Sequence, residues 1–215
     1  MIINATGKHL LTIIILHGMN QNSNNLYNLS KSIQDSNKHI KVVIPDAPSR
    51  TITWPQNPEK NVRAWYNYYT RNDGLLEHDD INQDHFLRET KRINNIIKQE
   101  SALVSANKII ICGISQGGTL AFNIALHSSY KLGAMIGLHT IFMDNIISTR
   151  NVNQIPIFLF SGREDEIYNI KLQRQSIQKL LPFNGNINWH IEKNLKHCQP
   201  SSNETKFIIN VINSI

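Results

Sequence analysis

The fold turns on one stretch, Lys108 to His127, K-I-I-I-C-G-I-S-Q-G-G-T-L-A-F-N-I-A-L-H. An apolar run from Ile109 to Cys112 breaks at Gly113, and beyond Ser115 the residues Leu120, Ala121, Ile124 and Ala125 return at helical spacing. The pattern predicts strand, tight turn, helix. Across the turn lies Gly113-Ile114-Ser115-Gln116-Gly117, the G-x-S-x-G arrangement in which a strained elbow lifts a serine hydroxyl off the sheet edge. A Cβ two positions to either side of that serine would collide with the neighbouring strand or helix, which gives both glycines a steric reason. The backbone N–H of Gln116, at the helix start, would face an oxygen on whatever Ser115 attacks. Five such residues also recur by chance as a structural glycine turn, and the strand–turn–helix context is what favours a nucleophile.

Outward from this stretch the chain alternates strands and helices, which predicts an α/β fold with a doubly wound, mostly parallel sheet and helices on both faces. Strands are expected at Thr12–Leu16, Ile40–Ile44, Gly133–Leu138, Ile155–Phe160 and Ile187–Ile191 besides the elbow strand, about six in all. Helical spacing marks Leu26 to Ile33, Phe86 to Glu100, Ile170 to Leu181 and Asn203 to Ile212. Residues 49–85 interrupt the alternation with Pro55, Pro58 and the aromatics Trp54, Trp65, Tyr66, Tyr68 and Tyr69. A connection that long reads as a lid or binding loop within one domain spanning residues 1–215.

Composition excludes several functions. The net charge of +6 is spread over scattered Lys and Arg residues with no basic block, so nucleic acid is not expected as a partner. No apolar run approaches the roughly 20 residues that cross a bilayer, and Leu10–Leu16 lacks a cleavage site and reads as a buried strand. Cys112 and Cys198 have neither metal-ligand spacing nor disulfide density, which points to a reducing, cytoplasmic compartment. His78, Asp79, Asp80, Asp84 and His85 match no ligand pattern and read as a solvated segment, so no metal and no cofactor is expected.

A nucleophilic serine needs a base, an orienting acid and a second oxyanion donor. Of the nine histidines, His127, His139, His190 and His197 follow Ser115, and the hydrolase order of serine, acid, histidine asks for a late one. His139 precedes every good acid and His190 lies inside a strand, whereas His197 stands in the loop after the last strand and is expected to be the base. Glu164, Asp165 and Glu166 all leave the strand ending at Phe160, and their spacing does not choose among them. The loop after the first strong strand should carry the second donor, a backbone N–H of Gly18-Met19.

At these residues the chain resembles the acyl-protein thioesterase, or phospholipase/carboxylesterase, branch of the α/β-hydrolases, over nearly its whole length. Leu16-His17-Gly18-Met19 is similar to the family's L-H-G and the oxyanion residue that follows it. Pro45-Asp46-Ala47-Pro48 with Arg50 is similar to P-x-A-P-x-R, Arg63-Ala64-Trp65-Tyr66 to R-A-W-Y, and Gly113 to Gly118 to G-F-S-Q-G-G. The resemblance implies Ser115 as nucleophile, His197 as base, and Met19 and Gln116 as backbone oxyanion donors. The family's H-G-x-x-D-x-x-V falls on Ser161 to Tyr168, which implies Asp165 as the acid. Departures stand at Ser161 for the leading histidine, at Trp54-Pro55-Gln56-Asn57-Pro58 for a double glycine, at Asn67 for an acid, and at Glu204, one residue late after His197. The short N-terminus implies a sheet with one edge strand fewer.

The function expected is cleavage of carboxylic ester or thioester bonds through an acyl-enzyme on Ser115, the substrate being a small ester or an acylated protein or lipid. The competing expectation is a catalytically idle member of the same fold that binds acyl chains or proteins. Leu75 and Leu76, apolar inside a polar loop, are expected to line the acyl path, with Trp54 and Trp65 as packing beside it. The sequence leaves monomer and homodimer open.

Overall fold

The computed structural model describes residues 1–72, 79–150 and 152–215. In chain order the strands are β1 (Ile2–Ile3), β2 (Leu11–Leu16), β3 (Ile40–Val43), β4 (Ser49–Ile52), β5 (Glu59–Arg63), β6 (Ile109–Ile114), β7 (Ala134–Leu138), β8 (Ile157–Gly162) and β9 (Ile187–Glu192). The helices are α1 (Tyr27–Ser36), α2 (Gln83–Ser101), α3 (Gln116–His127), α4 (Ile170–Leu180) and α5 (Ser202–Asn213).

Seven strands form one sheet in the order β1-β3-β2-β6-β7-β8-β9, parallel from β3 through β9. The six parallel strands are those the sequence predicts. The seventh is β1, a two-residue antiparallel edge in which Ile2 and Ile3 pair with Val43 and Val42.

The central strands β2, β6 and β7 read as nearly unbroken apolar runs because both faces are covered, whereas β9, at the sheet edge, alternates and has no fully buried residue. In β2, Ile13 and Ile15 enter one core and Ile14 and Leu16 the other; in β6, Ile110 and Cys112 oppose Ile109 and Ile111. The first core takes Ile33 of α1 and Ile208, Val211 and Ile212 of α5. The second takes Ile93 and Ile97 of α2, Leu120, Ala121 and Ile124 of α3, and Leu172 and Ile177 of α4.

Strand order reverses between β2 and β6. The chain leaves β2 for β3 on one side and returns through α2 to β6 on the other, and Leu16 pairs with Gly113. Loops leaving the carboxyl ends of two such strands diverge and open a crevice. Here those loops are His17-Gly18-Met19 and the Ser115 turn.

The interrupting stretch is more ordered than a plain loop. β4 and β5 pair antiparallel, and beyond them Trp65 and Tyr66 are fully buried. An ionic cluster fastens this hairpin to α2: Glu89, itself buried, binds Arg50 at 3.0 Å and Arg92 at 2.7 Å.

Candidate active site

Ser115 joins β6 to α3 at φ 51° and ψ −117°, a backbone conformation that non-glycine residues rarely hold. Its neighbours enforce it. A Cβ on Gly113 would lie 2.3 Å from the Gly117 carbonyl oxygen, and one on Gly117 would lie 2.4 Å from that of Leu16. The Ser115 N–H donates to the Leu138 carbonyl, and the Ser115 carbonyl accepts from the Thr140 hydroxyl, both at 2.9 Å. The turn is therefore clamped from β2, β6 and β7 together.

His197, in the loop after β9, brings Nε2 to 2.9 Å from Ser115 Oγ. Its Nδ1 stands 2.8 Å and 3.0 Å from the two oxygens of Asp165. With the carboxylate ionised, Nδ1 carries the proton and donates it, which leaves Nε2 a lone pair for the serine hydroxyl. Asp165 is nearly fully buried, and its Oδ1 also accepts the N–H groups of Ile167 at 3.0 Å and Tyr168 at 2.7 Å. Burial alone would raise this carboxyl; the contacts from His139 and His197 outweigh it and hold the group below the ordinary carboxylate value. Glu164 and Glu166 are exposed, and among the described residues Glu166 accepts the His197 backbone N–H alone, at 3.2 Å.

Opposite the histidine stands the β2 loop. The His17 ring accepts the Ala47 N–H on Nε2 at 2.9 Å, so it is Nδ1–H that donates to the Gly18 carbonyl at 2.7 Å. Burial lowers the pKa of this imidazole, in keeping with the neutral form that accepting the Ala47 N–H requires. In a trans peptide the following N–H points opposite to the carbonyl. Tying down the Gly18 carbonyl therefore turns the Met19 N–H away from His17. Gly18 N–H donates to Gln21 and Asn20 N–H to Arg63, while among the described residues the Met19 N–H has no protein acceptor. Gln116 N–H, at the first position of α3, is a helix-start donor without an intrahelical partner. The Gln116 side chain does other work: it accepts from Trp65 N–H at 2.8 Å and donates to the Tyr66 carbonyl at 2.9 Å. The motif glutamine thus locks the hairpin region to the elbow.

A cavity of about 260 Å³ opens over Ser115, and its walls include Met19, Trp54, Tyr68, Ile167 and Tyr168. Trp54 is a wall of this cavity, which corrects its expected role as packing alone; Trp65 is wholly buried and donates through its indole N–H to His17. Asp79, expected to be solvated, is buried and accepts from the Thr70 hydroxyl at 2.8 Å and the Asn72 N–H at 2.9 Å. Leu75 and Leu76 lie outside the described residues.

The remaining histidines divide cleanly. His127 and His190 are exposed, the first bonded to the Ser148 carbonyl and the second stacked on Phe160. His139, set aside in the sequence because it precedes the acids, sits in the site, 1% exposed, with Nδ1 3.5 Å from Asp165 and Nε2 2.9 Å from Glu204. Its place at the carboxyl end of β7 was the available signal. His139, Asp165 and His197 offer ligand-type atoms within 4.8 Å of one another; those of Asp165 and His197 are taken up in the line to Ser115, while His139 Nδ1, 3.5 Å from Asp165, makes no hydrogen bond among the described residues.

Sheet order, elbow and crevice define an α/β-hydrolase. The phospholipase/carboxylesterase family model matches residues 1–215, and the chain belongs to that family. Acyl-protein thioesterase 1 of Yarrowia lipolytica is 30% identical over 203 residues, covering 90% of this chain and 87% of that one. Acyl-protein thioesterase 1 homolog 2 of Dictyostelium discoideum is 30% identical over 176 residues, 79% of this chain and 76% of its own. Among solved structures, Arabidopsis thaliana SOBER1 superposes with a TM-score of 0.82 at 22% identity, covering 95% of this chain and 98% of its own. Zea mays acyl-protein thioesterase 2 gives 0.81 at 20% identity, with 100% and 97% covered. With the family goes its class of chemistry, serine-dependent hydrolysis of carboxylic ester or thioester bonds.

Proposed function

We propose that this protein cleaves acyl esters or thioesters through an acyl-enzyme on Ser115, with His197 as general base, Asp165 as its orienting acid, and the N–H groups of Met19 and Gln116 as oxyanion donors. The unbroken hydrogen-bond line from Ser115 Oγ through His197 to Asp165 carries the reading. As the serine oxygen bonds to the acyl carbon, its proton passes to His197 Nε2, and Asp165 steadies the imidazolium that forms. The carbonyl oxygen gains charge against the two N–H groups, and collapse returns the proton to the leaving alcohol or thiol. Water, deprotonated by the same histidine, then releases the acid and frees Ser115.

The acyl group lies in the cavity walled by Trp54, Ile167 and Tyr168, and the leaving group points to solvent. A fatty chain carried on a protein cysteine, a lysophospholipid or a small ester all present that arrangement. The two free cysteines, Cys112 and Cys198, fit a cytoplasmic setting.

Hydrolysis of p-nitrophenyl esters of graded chain length, beside a palmitoyl thioester, tests the reading. Ser115→Ala should lower kcat by about a thousandfold or more while leaving the melting temperature near wild type. A variant that keeps more than about a hundredth of the activity would overturn the assignment of Ser115.

A further inference from the structure

We propose that His139 is a positioning residue for this hydrolysis, a second imidazole held as a cation between Asp165 and Glu204 that keeps the Asp165 carboxylate ionised and aimed at His197. The inference rests on the roles given above to Asp165 and His197.

Proton counting carries it. His139 Nε2 is 2.9 Å from Glu204 Oε2 and Nδ1 is 3.5 Å from Asp165 Oδ2, with the ring 1% exposed. The first contact is a hydrogen bond and the second an ion-pair contact. A neutral imidazole that donates from Nε2 to Glu204 would leave the buried Nδ1 as a lone pair facing the Asp165 carboxylate with no hydrogen-bond partner; an imidazolium sets an N–H there and keeps its bond to Glu204. Asp165 is buried and Glu204 half-buried, and a cation between them relieves the repulsion that would otherwise favour protonating one of the two.

The fold places all three groups deliberately. His139 follows β7 at φ 48°, left-handed for a residue with a side chain, and its N–H is anchored to the Phe160 carbonyl at 2.9 Å. Glu204 stands in the first turn of α5 because Ser201 caps that helix, its hydroxyl accepting the N–H groups of Asn203 at 3.1 Å and Glu204 at 3.4 Å.

Among the described residues the surroundings hold no rival cation. The loop after β8 presents Asp165 and Glu166; the loop after β9 presents His197, 5.8 Å away ring to ring, and Cys198; β6 presents Cys112. Phe160 of β8 lies edge-on at 6.2 Å, with His190 of β9 stacked behind it. Burial pushes both thiols far up, so neither contributes charge. Among the described residues, only histidines pair with Asp165 and Glu204. Burial opposes a charge on His139, and the two carboxylates more than reverse that, raising its pKa to about 9.

The test combines ring-nitrogen NMR with pH–rate profiles of ester hydrolysis in wild type, His139→Gln and Glu204→Gln. Both His139 nitrogens should be protonated at neutral pH and titrate near pH 9, and Glu204→Gln should bring that titration down. In His139→Gln a positive charge beside the Asp165–His197 pair is lost, which favours protonation of the pair, so the acid limb of kcat/KM should move up by about one pH unit. In Glu204→Gln the acid limb should not move up. A merely structural histidine would lower activity in both variants and leave both limbs in place. A neutral His139 near pH 7, or an unmoved acid limb in His139→Gln, would overturn the proposal. If His139→Gln does not fold, the NMR titrations of wild type and Glu204→Gln decide it. Ser115→Ala keeps the two readings apart: activity that survives there refutes the assignment of Ser115, whereas Ser115-dependent activity with an unmoved limb refutes only the role of His139.

Discussion

The Asp165 carboxylate accepts from His197 and from the N–H groups of Ile167 and Tyr168, and Glu164 and Glu166 have no comparable engagement. An amide at position 165 can donate to Nδ1 and favour the wrong tautomer, so Asp165→Asn should lower kcat by about three to four orders of magnitude. Glu164→Gln and Glu166→Gln should stay within about threefold, and steady-state rates of the three variants check the order. Stability should follow pH through the same cluster. The His139 pKa is raised from 6.5 to about 9, so its contribution is complete below 6.5 and lost as pH rises through 9. The Asp165 value is lowered, so its contribution is present above the ordinary carboxylate range and lost as pH falls through the depressed value. Urea midpoints from pH 5 to 10 should therefore decline on the alkaline side in wild type, and His139→Gln should be less stable but decline less steeply there, the residual slope coming from the buried thiols Cys112 and Cys198. At this scale the sequence singles out Ser115 and His197 as the proposed nucleophile and base because elbow chemistry and chain order isolate them, and the structure sets the two side chains 2.9 Å apart. Asp165 was not separable from its neighbours by spacing, and needed the family motif. His139 escaped because its contacts reach 26 and 65 residues along the chain to Asp165 and Glu204, distances that no local pattern encodes.

Among the elements, the elbow sets the tightest packing constraint. A methyl on Gly113 would meet backbone at 2.3 Å, where no side chain can rotate aside, so Gly113→Ala should destabilise by about 2 kcal/mol or more. Gly185, with nothing within 4 Å of its ideal Cβ, is the control, and Gly185→Ala should change stability by less than about 1 kcal/mol. Equal urea midpoints for the two variants would mean that the elbow yields more easily than its geometry requires. The six parallel strands and five helices could be placed from their apolar runs and helical spacing, β9 the weakest of them because it is polar at every second residue. The β4–β5 hairpin could not. Its strands, S-R-T-I and E-K-N-V-R, are polar and mostly exposed, and their order comes from Arg50, Glu89 and Arg92 and from the Gln116 amide, all of them long-range partners.

For the whole molecule, the reversal of strand order between β2 and β6 brings the oxyanion loop against the elbow, and the loops after β7, β8 and β9 deliver His139, Asp165 and His197 to the same edge. The cavity that results has Trp54, Ile167 and Tyr168 on its walls, residues contributed by two loops more than 100 residues apart, so its shape could not be read before the chain was folded. The central claim is that this convergence makes Ser115 a nucleophile. Its most direct measurement is intact-mass and peptide mapping after reaction with a fluorophosphonate probe, which captures an activated serine as a stable adduct. The account predicts one adduct per chain, located on Ser115, absent in Ser115→Ala and formed at least about a hundredfold more slowly in a variant lacking the His197 imidazole. An unlabelled wild-type chain, or an adduct on any other residue, would contradict it.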